Sequence, residues 1–297
     1  MTHAKDRGEL PLAAAVAFTH AAVEVIAADA SVDLLHIKGP AIDSSLGMTP
    51  DAGGGLVASP RRSIDTDVWV RPEHADRLTA ALKGYGWVVF APFRWGASFE
   101  HAATFTRDGF VSVDVHRTFP GISAGFGETF ETLWCGRQQT RIGGITCQVP
   151  SVTAQLLILL LHTARNGPGG RDAGAWETAD KPQREAVWAL ARHLGAEVPL
   201  AAAVGELDHF VEHREHDMWY YLSTGTGTWA QQWWARLRAE RNPLKALGRG
   251  FRMAFPTRRG MEHRAGGHLG PAGLARAYSR RVIRAFRPRG VRVRRRA

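Results

Sequence analysis

RRSIDTDVWV, residues 61–70, places two aspartates one residue apart inside a run of residues typical of a β-strand. Side chains alternate between the two faces of a strand, so Asp65 and Asp67 share one face while Val68 and Val70 share the other. Neighbouring carboxylates on a half-buried strand repel each other and resist desolvation, which a purely structural strand would avoid. A divalent cation removes both penalties. Since Mg²⁺ takes one or two carboxylates and leaves its other positions to water and substrate phosphates, the stretch predicts a magnesium site.

A third carboxylate lies on a second predicted strand, FVSVDVH, residues 110–116. The three valines of this strand form an apolar face, and Asp114 and His116 share the polar face. If this strand is a neighbour of the first, the single aspartate completes a three-carboxylate site.

Upstream, LLHIKGPA, residues 34–41, predicts a strand that ends at Gly39 and continues into a helix to about Leu46. Pro40 suits the first helical position, where its missing N–H costs nothing. Gly39 lets the backbone approach a ligand closely, and a helix N-terminus favours phosphate. Lys38 adds a positive charge at the same corner, so the pattern indicates a phosphate-binding turn.

Together these motifs resemble a known protein family. The order of strand, glycine turn, D-x-D strand and later single aspartate resembles the nucleotidyltransferase superfamily of the polymerase β type. More narrowly, the series IKGPA…R…DTDVWV…VDVH…LLLH resembles the bacterial uncharacterised nucleotidyltransferase family, over roughly residues 31–166. The resemblance implies that Asp65 and Asp67 bind metal, that Asp114 is the third catalytic carboxylate, and that Gly39 lies against the nucleotide phosphates.

The hypothesis that follows is an Mg²⁺-dependent nucleotidyltransferase, with Mn²⁺ as the alternative ion. It would transfer NMP from an NTP to an unknown acceptor, a small molecule, peptide or RNA, and release pyrophosphate. Asp65, Asp67 and Asp114 would hold the metals and stabilise the attacking and leaving oxygens. We expect the nucleotide to be bound by further residues: Lys38, Gly39, Arg61, Arg62 and His116.

Each of these residues also has a structural interpretation. Asp65 and Asp67 could lie on a solvated edge strand, and Lys38 with Gly39 could be merely a strand end. His116 is equally well explained as a packed or hydrogen-bonded histidine. The superfamily usually has Gly or Ser after the first glycine, where this chain has Pro40. This departure motivates the alternative of a catalytically degenerate protein that binds nucleotide, RNA or a protein partner.

Composition limits the class of protein. An apolar content of 44% and a charged content of 22% are ordinary for a soluble globular chain. Two cysteines, Cys135 and Cys147, argue against a disulfide framework and favour the cytoplasm. The run of apolar residues at 156–161 is too short to cross a bilayer, and we expect no transmembrane segment. The formal net charge of +10 is carried by ten arginines in residues 271–297, which indicate a binding segment for RNA or an acidic partner, or a solvated helix.

The order of predicted elements favours an α+β fold, with a nucleotidyltransferase-type mixed β-sheet, flanking helices and a mainly helical C-terminal region. Turn signals suggest three parts. Residues 1–150 are expected to form the catalytic domain with an N-terminal helix, residues 151–270 a helical domain, and residues 271–297 an Arg-rich helix and tail.

Overall fold

The computed structural model describes residues 10–50, 56–58, 63–93, 102–167, 173–240, 261 and 268–285. The chain divides into two compact units. The first comprises residues 1–159 and 174–196, and the second comprises residues 160–173 and 197–297. The three-part division expected from turn signals stays a prediction.

The first unit contains the β-strands of the described chain. They are β1 (Leu34–His36), β2 (Met48–Pro50), β3 (Leu56–Ala58), β4 (Thr66–Val70), β5 (Val88–Ala91), β6 (Ala102–Thr106), β7 (Val113–His116), β8 (Gln138–Ile142) and β9 (Ile145–Val149). The α-helices of the described residues are α1 (Leu12–Asp29), α2 (Ala75–Gly84), α3 (Phe126–Cys135), α4 (Val152–Asn166), α5 (Ala173–Glu177), α6 (Lys181–His193), α7 (Glu197–Val204), α8 (His216–Thr224), α9 (Trp229–Ala239) and α10 (Pro271–Ala285).

Five strands form the main sheet in the order β1-β4-β7-β6-β5. The β4–β7 pair is parallel, and the other neighbouring pairs are antiparallel. Strands β2 and β3 form one hairpin, and β8 and β9 form another. The predicted mixed sheet with flanking helices is therefore confirmed, and the α+β class with it.

One face of this sheet is apolar because every second residue of its strands is a hydrophobic one. Val68 and Val70 of β4 and Val113 and Val115 of β7 are fully buried there, in a core that also includes residues of α1 and α2. The alternation predicted for both strands holds, and it leaves the aspartates on the opposite face.

The helix predicted from Pro40 to Leu46 is wrong. Two short 3₁₀ turns occupy this segment, Gly39–Ala41 and Ser44–Gly47. The Asp43 carboxylate accepts hydrogen bonds from both the backbone N–H and the hydroxyl of Ser45. Such local bonds compete with helical ones, so the chain turns instead of continuing as a helix. The argument that a helix N-terminus binds phosphate at this corner is lost with the helix.

Residues 199–222 do not form one continuous helix. Helix α7 ends at Val204, and Gly205 adopts a φ of 81°, a conformation that commonly ends helices. A 3₁₀ turn, Leu207–Phe210, and α8 follow.

Within the described residues, α1 is the helix whose length and composition would allow it to cross a membrane. Its Val16, Val23 and Ile26 are buried in this structure. A core helix meets the same criteria of length and composition, so the finding is weak evidence for a membrane span.

Candidate active site

Asp67 and Asp114 face each other across the parallel β4–β7 pair, where the two residues are register partners. Asp67 is 2% exposed and Asp114 is half-buried. Because β4 lies between β1 and β7, Asp67 belongs to an interior strand. The alternative interpretation of a solvated edge strand therefore does not apply to Asp67.

His116 completes a cluster with the two aspartates, which we call the carboxylate corner (Asp67, Asp114 and His116). One ligand atom from each residue lies within 4.8 Å of the others. The His116 Nε2–H donates to Asp67 Oδ1 at 2.7 Å. The side chain is 3% exposed, so the histidine is both buried and engaged with the catalytic candidate.

A positive charge already lies beside this corner. The Lys38 ammonium is 2.8 Å from Asp67 Oδ1, and its side chain is 19% exposed. Burial alone would raise the pKa of Asp67, but Lys38 and His116 outweigh it and hold the pKa well below its ordinary value. Asp67 is therefore ionised, and Lys38 occupies a position where a cation is stabilised.

Asp65 flanks the carboxylate corner without belonging to the 4.8 Å cluster. It precedes β4 and is half-buried, and the Ser63 hydroxyl donates to its Oδ1 at 3.1 Å. Burial and the neighbouring charge of Asp67 raise the pKa of Asp65. The structure thus brings two of the three predicted carboxylates into one cluster and sets the third beside them.

Gly39 occupies a backbone conformation that favours glycine, with a φ of 57°. A Cβ on this residue would lie 3.0 Å from the Ser63 Cβ, too close for both groups to stay in place. The glycine therefore lets the turn after β1 approach the segment that leads into β4. Arg61 and Arg62, predicted to bind the nucleotide, lie outside the described residues.

Two side chains at the corner were missed at the sequence level. The Thr104 hydroxyl of β6 donates to Asp114 Oδ1 at 2.6 Å and orients that carboxylate. The sequence Arg107-Asp108-Gly109 is typical of a hairpin turn, and counting back along such a hairpin places Thr104 opposite Asp114. Phe119 lies under the site, with its ring centroid 5.9 Å from the ring of His116 and 5.6 Å from the Lys38 Nζ. No local pattern indicates this aromatic contact.

The donor set of the carboxylate corner fits a divalent cation. Asp67 and Asp114 offer the hard oxygen ligands that Mg²⁺ and Mn²⁺ prefer. Burial, and then the charge of Asp67, raise the pKa of Asp65, and a bound cation would relieve the repulsion between the two carboxylates. We assign Asp67 and Asp114 as the residues that would hold the ion, with Asp65 beside them.

Comparison with known proteins identifies a family. The family model described as "Uncharacterised nucleotidyltransferase" matches residues 28–212, more than half of the chain, and the match contains the whole carboxylate corner. A comparison with curated proteins gives no match.

Among solved structures, two of the antibiotic-resistance factor ANT(2'')-Ia are similar. A solution structure has 15% identity and a TM-score of 0.37, and the match covers 68% of this chain and 97% of that one. A crystal structure of its complex with adenylyl-2''-tobramycin has 16% identity and a TM-score of 0.34, with 66% and 98% covered. Similarity at this level carries no argument about substrate. The family match itself confirms the resemblance seen in the motifs, and the chain belongs to the uncharacterised nucleotidyltransferase family of transferases.

Proposed function

We propose that this transferase uses Mg²⁺ to move NMP from an NTP to a hydroxyl, phosphate or amine of its acceptor. The observation that carries the proposal is the register pairing of Asp67 with Asp114, with the Lys38 ammonium 2.8 Å from Asp67. A pair of adjacent carboxyl groups that already attracts a cation is suited to a metal ion and the phosphates it accompanies.

The reaction forms one bond and breaks one at the α-phosphorus. The acceptor atom bonds to phosphorus, the bond to the oxygen that bridges to the β-phosphate breaks, and pyrophosphate leaves. Mg²⁺ held by Asp67 and Asp114 would supply positive charge to the attacking and leaving oxygens. The Asp114 carboxylate, fixed by Thr104, is the group that we expect to take the proton of the acceptor.

Lys38 has two partners in this scheme. Without ligand it neutralises Asp67. With the metal bound, the carboxylate no longer needs the ammonium, and Lys38 can turn to the β- and γ-phosphates as a mobile point charge. The turn at Gly39 presents backbone close to the same place, so both residues contribute to nucleotide binding.

The test measures nucleotide binding and turnover separately. Melting of the wild type is followed with each NTP, with and without Mg²⁺, and pyrophosphate release is measured in the presence of candidate acceptors. We expect a melting shift that requires both Mg²⁺ and one preferred NTP and that is absent in Asp67→Asn. A wild type that shows neither shift nor pyrophosphate release contradicts the proposal.

The alternative of a degenerate, nucleotide-binding protein gives a different result in the same assay. Its motivation is Pro40, which follows the turn glycine and is the second residue of the 3₁₀ turn Gly39–Ala41. Tight Mg²⁺–NTP binding without pyrophosphate release for any acceptor would favour it.

The Arg-rich segment adds a separate proposal about partners. Helix α10, Pro271–Ala285, contains no acidic residue, and residues 286–297 lie outside the described chain. We propose that residues 271–297 bind RNA or another anionic partner by charge. Binding to RNA should then weaken steeply with salt and weaken on deletion of these residues, and an unchanged affinity after deletion would remove the proposal.

A further inference from the structure

A second polar cluster lies among apolar residues of the first unit. It consists of Glu24 on α1, His36 on β1 and Cys147 on β9, and we call it the thiol cluster. One ligand atom of each residue lies within 4.8 Å of the others. His36 and Cys147 are 0% exposed, and the Glu24 side chain is 18% exposed. The cluster shares no residue with the carboxylate corner.

We propose that the thiol cluster binds a Zn²⁺ ion, distinct from the ion of the carboxylate corner. Zinc is bound in proteins by cysteine sulfur, histidine nitrogen and carboxylate oxygen, and here one of each converges. The carboxylate corner offers hard oxygens that suit Mg²⁺ or Mn²⁺, whereas a thiolate with an imidazole favours a softer ion.

The orientation of His36 supports this assignment independently of the three ligands. Its Nε2 faces the Glu24 carboxylate at 2.9 Å, while its Nδ1 lies 2.7 Å from Nδ1 of His20. In the tautomer in which the His36 Nδ1–H is donated to His20, the Nε2 lone pair is available to a metal. Metal-binding histidines are commonly oriented in this way through their second nitrogen.

The surroundings give a physical reason for a metal. Cys147 packs in an apolar cluster with Ala41, Ile142 and Val149. Glu24 belongs to a helix whose other residues before Asp29 are uncharged. A carboxylate at the edge of such a core is costly unless it is paired, and an ion bound also by sulfur and nitrogen pairs it more fully than one histidine does.

An ion in this position would stabilise the strand that leads to the catalytic site. The ligands tie α1, β1 and β9 together, and β1 continues directly into Lys38 and Gly39. A Cβ on Gly39 would lie 3.8 Å from the His20 Nε2, so the histidine that orients His36 also packs beside the glycine turn. We therefore assign the zinc a positioning role for this turn, and the reaction itself to the carboxylate corner.

The test uses Co²⁺ as a spectroscopic replacement for Zn²⁺. Untagged full-length protein is stripped with a chelator and titrated with Co²⁺ in excess Mg²⁺. Thiolate coordination produces an intense near-ultraviolet charge-transfer band, which we expect to saturate at about one ion per chain and to disappear when Zn²⁺ displaces Co²⁺. Neither nucleotide nor acceptor is present, so the result does not depend on the proposed reaction.

Matched variants locate the site. Glu24→Gln should weaken Co²⁺ binding at least about tenfold, and Cys147→Ala should remove the charge-transfer band. Cys135→Ala alters the exposed cysteine, and Asp67→Asn alters the carboxylate corner, so both should keep the band. Circular dichroism without metal checks the fold of each variant. If Cys147→Ala does not fold, Glu24→Gln still tests the site, because glutamine keeps an oxygen that can accept a hydrogen bond from His36. A wild type without the band, or a band that is lost in Cys135→Ala, overturns the proposal.

Discussion

The carboxylate corner and the thiol cluster lie in the same unit, and they differ in how their groups are brought together. Asp67 and Asp114 meet because two neighbouring parallel strands hold them in register. Glu24, His36 and Cys147 come from a helix, a strand of the main sheet and a separate hairpin. The first site depends on local strand alternation and one pairing, whereas the second depends on how three elements pack.

The two clusters also differ in the protonation of the groups that would bind an ion. Lys38 and His116 keep Asp67 ionised, so the corner is a ready anion for a hard cation. Burial, and then Glu24, raise the pKa of the Cys147 thiol to about 12, so this sulfur stays protonated until a metal displaces the proton. The site proposed for the reaction and the proposed structural site would thus lie on one sheet and its neighbours.

The largest expected effect is on turnover, which we assign to the carboxylate corner and not to the thiol cluster. Asp67→Asn should lower kcat/KM at least about 1000-fold, or about 4 kcal/mol, because it removes a charge that the transition state requires. Asp108→Asn, at the exposed hairpin tip, is the matched control and should retain activity. Pyrophosphate release measures both. Turnover in Asp67→Asn close to that of the control would break the distinction between the clusters.

The next effect is on thermal stability, and it distinguishes the two clusters by the ion that each is proposed to bind. At 100 times its dissociation constant a ligand adds about 2.7 kcal/mol to the free energy of unfolding. Zn²⁺ should therefore raise the melting temperature of wild type and Asp67→Asn but have less effect on Glu24→Gln. Mg²⁺ with NTP should raise the melting temperature of wild type and of Glu24→Gln, but not that of Asp67→Asn. If one variant loses both responses, the two clusters are not independent.

A smaller effect concerns the glycine turn between the two clusters. Gly39→Ala and Gly109→Ala both place alanine at positive φ, which costs about 1–2 kcal/mol. A Cβ at Gly109 meets nothing within 4 Å among the described atoms, whereas one at Gly39 meets Ser63. Gly39→Ala should therefore destabilise by about 1 kcal/mol more and raise KM for the nucleotide. Equal urea midpoints and equal KM values would show that the close approach is unimportant.

The smallest effect is a pH dependence that distinguishes Asp65 from Asp67. The pKa of Asp65 is raised in the folded state, so the unfolded chain ionises first as pH increases, and the folded state loses stability. In EDTA at neutral pH, Asp65→Asn should raise the free energy of unfolding by less than about 1 kcal/mol, because the half-exposed carboxylate is screened. The gain should vanish below the ordinary carboxyl pKa.

Asp67 should behave in the opposite way, since its pKa is lowered in the folded state. Its contribution to stability is present above the ordinary carboxyl pKa and is lost as pH falls through the folded-state value. Urea unfolding of both asparagine variants at neutral and acidic pH measures the two signs. Destabilisation by Asp65→Asn at neutral pH without metal would contradict the assignment of repulsion at this carboxylate.

The sequence by itself determined the faces of the strands and the residues that carry charge. Period-two alternation places Asp67 and Asp114 opposite the buried valines, and this follows from each strand alone. The turn expected at Gly39 is also present, with the glycine at a positive φ. The helix expected after Gly39 failed because Asp43 satisfies backbone and hydroxyl donors locally, a competition that composition does not resolve.

The tertiary structure alone decided which of these groups meet. Asp67 pairs with Asp114 because β4 and β7 are neighbours, and Lys38, Thr104 and Phe119 reach the same corner from other segments. No local period relates Glu24 to Cys147, more than a hundred residues later in the chain. Local patterns specify the direction of a side chain relative to its own backbone, whereas a site requires distances between elements, and those distances come only from packing of the whole core.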